Sequence, residues 1–290
     1  MITSETQLCG LIGHPVRHSL SPIMHNAAFK EIGIDDLYCY LAFDVLESGL
    51  KQVIDAVKSL NIRGLNVTIP HKRSVMEYLD LIDTTAKNIG AVNTIVNNQG
   101  FLRGYNTDLL GVTNTLKNAE FNPTNKKIII LGAGGAARAA SFSIGKKAAE
   151  LVIINRSIEK AKDLCNDLVE NLIVEAHYKE LSDKTLREEM KNTDLLVNCT
   201  SVGMWPNINQ SLLNQKDIPE TITVFDTVYN PLETQLLRDA KKAGAKTISG
   251  VEMFVYQGAY AFELWTGTKA PIKRMKEIVI NNLKGNKNEK

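Results

Sequence analysis

No cysteine of this chain stands in a Cys-x-x-Cys pair, and none sits with histidines at zinc spacing. The four that occur, Cys9, Cys39, Cys165 and Cys199, read as small apolar residues suited to burial. His14, His18, His25, His71 and His177 are equally scattered, so no metal site is expected. No apolar run approaches ~20 residues, which excludes a membrane-spanning helix. The opening Met1-Ile2-Thr3-Ser4-Glu5-Thr6 has neither the basic nor the apolar region of a secretory signal. A reducing cytoplasm is the expected compartment. Net charge is lacking too: 34 Lys plus Arg against 32 Asp plus Glu leaves +2. That balance gives no reason to expect nucleic acid or a membrane surface as a partner.

What is present suits a globular chain. The length of 290 residues implies about two domains. At 44% hydrophobic and 23% charged residues, disorder is a poor reading, and a core can form without disulfides or structural metals. The first half alternates strands (Leu8–Ile12, Tyr38–Phe43, Gly64–Thr68, Val92–Val96, Phe101–Leu102) with helices (Pro22–Ile32, Leu46–Leu60). Asn97-Asn98-Gln99-Gly100 reads as a hairpin turn. Asn106-Thr107-Asp108 offers cap chemistry for a helix to about Leu116, which would bridge out of the first domain.

The second half reads as a run of parallel βαβ units. Strands are expected at Lys127–Leu131, Leu151–Ile154, Leu172–Ala176, Leu195–Asn198, Thr223–Asp226 and Thr247–Ile248. Helices are expected at Ala136–Lys147, Ile158–Val169 and Glu233–Ala243, the last closed by Gly244. Two more helices follow, about Met253–Trp265 and Pro271–Leu283, and are expected to pack back on the first half. The polar tail Lys284–Lys290 is expected to fray. The fold class is therefore α/β in two domains: 1–110 with the C-terminal helices 252–290, and a Rossmann-like domain over 111–251.

The glycine string Gly132-Ala133-Gly134-Gly135-Ala136-Ala137 ends a strand and opens a helix. Glycine lets the backbone turn tightly and approach a pyrophosphate, and the free N–H groups of the helix start receive its charge. Ala137 stands at the third glycine place, where alanine is tolerated. NAD sites carry a carboxylate at the end of the second strand; here Asn155-Arg156-Ser157 stands there, with Lys160 nearby. A guanidinium suits a 2′-phosphate, so NADP is the expected cofactor.

More specific strings lie in the first half. They are the loop from Gly13 to Asn26 with Ser19 and Ser21, then Gly64-Leu65-Asn66-Val67-Thr68-Ile69-Pro70-His71-Lys72, Gly90-Ala91-Val92-Asn93-Thr94 and Gly104-Tyr105-Asn106-Thr107-Asp108. With the glycine loop, Asn155-Arg156-Ser157 and Gln257, they resemble the shikimate dehydrogenase family, in order and over nearly the whole chain. The resemblance implies an N-terminal substrate domain, an NADP domain and an active site in the cleft between them. It implies interconversion of 3-dehydroshikimate and shikimate, a step of aromatic amino-acid (chorismate) biosynthesis. Lys72 and Asp108 would be the catalytic pair, also touching substrate. Ser19 and Ser21 would hold the substrate carboxylate, and Asn66, Thr68, Asn93 and Gln257 would bind its hydroxyls or order the site. Thr200, Val202, Met204, Val228, Tyr229, Gly250 and Met253 would line the nicotinamide or the cleft, Tyr229 on the substrate side.

The chemistry agrees. Hydride reduction of a ketone leaves an alkoxide that must take a proton, and a positioned donor lowers that barrier. Amides match hydroxyls, which both donate and accept. Taken singly, these residues have ordinary readings: Lys72 as a solvated lysine, Asp108 as a helix-start acid, Ser19 and Ser21 as helix caps, and Gln257 as a surface residue. Two other functions stand beside the leading one: a quinate/shikimate dehydrogenase using NAD, and a non-catalytic dinucleotide sensor. Oligomeric state is left open between monomer and homodimer.

Overall fold

The structure is a computed structural model describing residues 2–172 and 174–285. The chain forms two compact units: Gly111–Phe254, and the described residues of Met1–Leu110 with Val255–Lys290. The C-terminal helices thus belong with the N-terminal half.

In the first unit the elements are β1 (Gln7–Gly13), α1 (Ser21–Glu31), β2 (Tyr38–Asp44), α2 (Leu50–Ser59), β3 (Gly64–Val67), β4 (Leu81–Ile82), α3 (Thr84–Ile89), β5 (Thr94–Asn98) and β6 (Phe101–Tyr105). Helix α4 (Asp108–Asn118) leaves this unit, α9 (Gly250–Thr266) re-enters it, and α10 (Ile272–Gly285) follows. Six strands form one mixed sheet in the order β2-β1-β3-β5-β6-β4. β5 and β6 are antiparallel, with Asn98 opposite Phe101. Their turn is Gln99-Gly100, both at positive φ (54° and 89°), as a two-residue hairpin loop requires. Helix α2 buries Leu50, Ile54 and Val57, one stripe at helical spacing, against Ile12, Leu65 and Val67. It is shorter than the expected Leu46–Leu60. Leu46 is 58% exposed and precedes the helix, because Glu47–Gly49 form a 3₁₀ turn.

In the second unit, β7 (Lys127–Leu131), α5 (Gly135–Ile144), β8 (Glu150–Asn155), α6 (Ile158–Leu172), β9 (Ala176–Glu180), α7 (Asp183–Met190), β10 (Leu195–Asn198), β11 (Thr223–Asp226), α8 (Gln235–Lys242) and β12 (Lys246–Ser249) build an all-parallel sheet. Its order is β12-β11-β10-β7-β8-β9. The chain winds outward from β7 on one side, then returns to β10 on the other. The switch point lies between β7 and β10, and open α/β sheets bind ligands outside the strand ends at such a point. Ile128–Leu131 and Leu195–Val197 are fully buried, as central parallel strands should be.

Two expectations need correction here. Leu172 is the last residue of α6, not the start of a strand, and the strand is Ala176–Glu180. Among the described residues that strand pairs only with β8, and four of its five side chains are exposed, so no apolar run marks it. Helix α7 was not anticipated. Ser182 caps it through Thr185 N at 3.1 Å, and it buries Leu186 and Met190. Of the tail Lys284–Lys290, residues 286–290 lie outside the described residues.

Among the described residues no helix is long and apolar enough to cross a membrane, and no group of His, Cys, Asp or Glu is arranged to hold a metal. Cys9 and Cys165 are buried, whereas Cys39 and Cys199 are half-buried; all four are free thiols.

Candidate active site

Lys72 lies in the turn after β3, and that turn is held from both sides. The fully buried His71 donates from Nε2 to the Val45 carbonyl at 2.7 Å, and the Lys72 carbonyl accepts from Val92 N at 2.8 Å. The side chain is left to reach Asp108, the first residue of α4. Asn106 Oδ1 accepts from Leu109 N at 3.2 Å and starts that helix. Lys72 Nζ donates to Asp108 Oδ2 at 2.5 Å, with side chains only 15% and 6% exposed. Ions so little hydrated are stable when paired and further hydrogen-bonded.

The further bonds come from the paired strands behind them. Asn93 Nδ2 donates to Asp108 Oδ1 at 2.9 Å and to Thr107 Oγ1 at 3.0 Å. Asn93 Oδ1 accepts from Thr107 N at 2.7 Å and Thr94 Oγ1 at 3.1 Å. Both amide hydrogens of Asn93 are therefore engaged within the protein. Asn66 Nδ2 donates to Thr94 Oγ1 at 3.1 Å, and Asn66 Oδ1 accepts from Tyr40 Oη at 2.7 Å. One chain of hydrogen bonds runs from Tyr40 through Asn66, Thr94 and Asn93 to Asp108 and Lys72. Tyr40 is stacked on His25, their rings 4.3 Å apart. Complete burial lowers the His25 pKa to about 3, so its ring is neutral packing rather than a proton carrier.

Ser19 and Ser21 stand together at the start of α1. Ser19 Oγ accepts from Ser21 N at 3.2 Å and lies 3.2 Å from Ser21 Oγ. Neither caps the helix: Leu20 holds the cap position without a side-chain bond. Gly258 of α9 has no side chain where Met24 Cε would stand 2.3 Å from a Cβ, so α9 packs closely on α1. Gln257 sits beside that contact. Thr68 closes β3, its N–H bonded to the Ile12 carbonyl at 2.9 Å.

The second unit carries the dinucleotide candidates. Gly132 follows β7 at φ +106°, a conformation suited to glycine, and a Cβ there would come within 3.2 Å of the Cys199 carbonyl oxygen. A Cβ on Gly134 would meet nothing within 4 Å, leaving room for a ligand against the backbone. Gly134 caps α5, and the first intrahelical bond is Arg138 N to the Gly134 carbonyl at 2.9 Å. The N–H groups of Gly135, Ala136 and Ala137 have no partner within the helix, and Ala133 completes the turn. These features fit a pyrophosphate. Gly132 N bonds the Ile154 carbonyl at 2.8 Å, which sets Asn155, Arg156 and Ser157 beside the turn. Asn155 Nδ2 donates to the Ser157 carbonyl at 2.9 Å. Arg156 and Lys160 are exposed, and among the described residues no carboxylate pairs with Arg156.

On the other side of β7 lie the loops after β10 and β11. Thr200 and Val202 are half-buried and Met204 is 42% exposed. Trp205 N bonds the Asn230 carbonyl at 3.0 Å, which joins the two loops. Val228 and Met253 are buried, and Tyr229 stacks on Phe254 with ring centres 4.0 Å apart. Gly250 opens α9 where a Cβ would stand 2.4 Å from the Thr227 carbonyl oxygen, so no side chain fits.

Known proteins bear on this arrangement. Residues 11–95 match the family described as shikimate dehydrogenase substrate binding domain, 115–226 match shikimate/quinate 5-dehydrogenase, and 250–280 match the shikimate 5′-dehydrogenase C-terminal domain. A Methanopyrus kandleri protein named shikimate dehydrogenase (NADP(+)) is 48% identical over 286 residues, 98% of each chain. The chain belongs to the shikimate dehydrogenase family. A crystal structure of a shikimate dehydrogenase with NADP+ superposes with a TM-score of 0.90 at 46% identity, covering 98% of both chains. The Listeria monocytogenes shikimate 5-dehydrogenase with shikimate and NAD gives 0.86 at 39%, covering 96% of this chain and 98% of that one. The α/β fold with its Rossmann-like unit is that of the shikimate dehydrogenases.

Sequence reasoning quoted Thr94 within a motif without a role and Thr107 only as cap chemistry, though both bond Asn93, and it gave no role to Tyr40, which bonds Asn66, or to Asn198 and Asp226 at the ends of β10 and β11. Thr94 and Thr107 directly follow Asn93 and precede Asp108, and adjacency to those motifs was the available signal.

Proposed function

We propose that this chain is an NADP-dependent shikimate dehydrogenase, interconverting 3-dehydroshikimate and shikimate in aromatic amino-acid biosynthesis. The observation that carries this reading is the Lys72–Asp108 pair, little hydrated and braced by Asn93. Bound NADPH supplies hydride to the carbonyl carbon. Lys72 holds the carbonyl oxygen and gives its proton as the alkoxide forms; in the reverse direction it takes the hydroxyl proton. Asp108 keeps the ammonium in place, and Asn93 keeps Asp108 in place. Asn66 retains an acceptor lone pair for a substrate hydroxyl, Thr68 and Gln257 are the further polar groups of the same unit assigned to the substrate, and Tyr229 keeps the substrate role that the family resemblance implies. Ser19 and Ser21 hold the carboxylate. The glycine turn receives the pyrophosphate, Arg156 with Asn155, Ser157 and Lys160 the 2′-phosphate, and the loops holding Thr200, Val202, Met204, Val228, Gly250 and Met253 the nicotinamide side.

The enzyme works in the cytoplasm on small molecules, and the balanced charge supports the absence of a nucleic-acid partner. A panel of shikimate and quinate against NADP+ and NAD+, read by reduced-nicotinamide absorbance, tests this reading. Shikimate with NADP+ should be the best pair, and Lys72→Ala should abolish turnover in all four. Quinate with NAD+ as the best pair would assign the alternative dehydrogenase, and absence of turnover in the wild type would sink the reading.

A further inference from the structure

Asp226 is the last residue of β11 and is fully buried. It stands in register beside Asn198, the last residue of β10. Its carboxylate accepts three hydrogen bonds: Asn198 Nδ2 at 2.9 Å and Val228 N at 3.1 Å on Oδ1, and Thr234 Oγ1 at 2.6 Å on Oδ2. The Asn198 amide, turned by that contact, presents Oδ1 to Thr200 N at 3.1 Å and Thr200 Oγ1 at 2.7 Å. Thr200 Oγ1 in turn accepts from Val202 N at 3.2 Å. On the other side, Thr234 caps α8 through Leu237 N at 3.3 Å. One carboxylate thus sets the shape of two loops, 199–204 and 227–234. The first of them lies against Gly132 of the glycine turn.

The sheet order says which part of a dinucleotide those loops meet. The turn after β7 takes the pyrophosphate, and β8 on one side ends in Asn155-Arg156, suited to the adenosine phosphate. The other half of the dinucleotide is left to β10 and β11 on the opposite side. Asn198 and Asp226 are both fully buried and turned to groups of the protein itself: three donors face the carboxylate, the Asn198 amide faces Asp226 and the Val202 carbonyl at 3.5 Å, and the Asn198 oxygen holds Thr200.

We propose that Asp226 is a positioning residue for the nicotinamide half of the dinucleotide, acting through Asn198 on the Thr200 loop and through Val228 and Thr234 on the Tyr229 loop. This rests on the NADP-binding reading above. It gives the carboxylate a role in cofactor affinity that no contact with the cofactor is needed to explain. An alanine at 226 removes both carboxylate oxygens, so Asn198 Nδ2, Val228 N and Thr234 Oγ1 all lose their acceptor and the Thr200 loop is released; an asparagine would not serve, because its NH₂ group can donate to the Thr234 hydroxyl while its oxygen keeps the other two bonds.

The test is calorimetric titration of the full chain with NADP+ and, separately, with 2′,5′-ADP, which carries the phosphates and adenosine but no nicotinamide. Asp226→Ala should weaken NADP+ by about tenfold, the equivalent of losing one or two good hydrogen bonds' worth of order. The same variant should leave 2′,5′-ADP unchanged. Thr234→Val should follow Asp226→Ala, and Thr234→Ser, which keeps the hydroxyl, should restore wild-type NADP+ affinity. Should Asp226→Ala not fold, the Val/Ser pair at 234 carries the test alone. Equal weakening of both ligands, or of neither, overturns the inference. A wild-type chain that binds neither ligand overturns the NADP reading beneath it instead.

Discussion

Asp108→Asn keeps the size of the side chain and removes only a charge and an acceptor. In the structure both Asp108 oxygens face donors: Lys72 Nζ on Oδ2 and Asn93 Nδ2 on Oδ1. The new amide must turn its NH₂ group toward one of them. In one orientation it opposes the Lys72 ammonium; in the other it opposes Asn93, whose amide then lets go of Thr107. A charge-assisted bond is worth about 1.5–3 kcal/mol. Removing one member of a largely buried ion pair costs about 3–5 kcal/mol. Carried into the barrier, about 3–4 kcal/mol corresponds to about 10²–10³ in kcat, within the range general acid–base catalysis supplies. The assay is the initial rate of shikimate oxidation at saturating substrate and NADP+, with urea unfolding run alongside. A large fall in kcat in a cooperatively folding variant is expected. A folded variant turning over at the wild-type rate would mean that Lys72 needs no carboxylate partner, and the mechanism would fail.

Arg156→Asp should shift the NADP-over-NAD ratio of kcat/KM toward NAD, because a carboxylate then faces the ribose where the 2′-phosphate would be; an unchanged ratio removes Arg156 from the site. Tyr40→Phe deletes the donor at 2.7 Å from Asn66 Oδ1. One such buried bond is worth about 1 kcal/mol, so the KM for shikimate should rise about fivefold with kcat kept, and an unaltered KM would mean Asn66 is oriented without Tyr40. Burial raises the Asp226 carboxyl from 3.8 to about 6. A raised pKa contributes stability that is present below the unfolded value and lost as pH rises through the folded one. The unfolding free energy of the wild type relative to Asp226→Asn should therefore fall by about 2–3 kcal/mol between about pH 4 and pH 7. Urea titrations at several pH values measure it, and a difference independent of pH contradicts the burial argument.

The central elements of both units were legible because burial writes itself into local sequence. Ile128–Leu131 is apolar throughout since both faces are covered, and Leu50, Ile54 and Val57 recur at helical spacing since one face is. Elements at the rim carry no such mark. β9 is exposed along most of its length and is held by main-chain bonds to β8, so Ala176–Glu180 has the composition of a loop. Leu172 stands four residues after the buried Leu168, so the α6 stripe runs on to it and it ends a helix where the sequence suggests a strand. The boundary of α2 failed for a related reason: Leu46 fits the period of the stripe but lies beyond the turn that starts the helix.

The site divides along a different line. The glycine turn and Arg156 are singled out by the local chemistry of a strand–turn–helix motif, whereas Lys72 and Asp108 have ordinary readings alone and are singled out by the family resemblance of the motifs that hold them. Tyr40, Asn198 and Asp226 act through partners that only strand pairing brings near. Tyr40 and Asn66 lie on the two strands flanking β1, 26 residues apart, and Asn198 and Asp226 are in-register neighbours 28 residues apart. A usable signal does exist for the second pair. Leu195-Leu196-Val197 and Val224-Phe225 are apolar runs, and each ends on one polar residue, Asn198 and Asp226. The β8 run ends likewise on Asn155. In a parallel sheet buried on both faces, the hydrophobic run fixes where each strand stops, and the stops align at the edge where ligands bind. A polar residue at that stop is then placed by the burial of its neighbours. At Asn155 it is only half-buried beside the glycine turn, in reach of a ligand. At Asn198 and Asp226 the adjacent strands close over it, and it is left to bond its neighbour and shape the loops that follow.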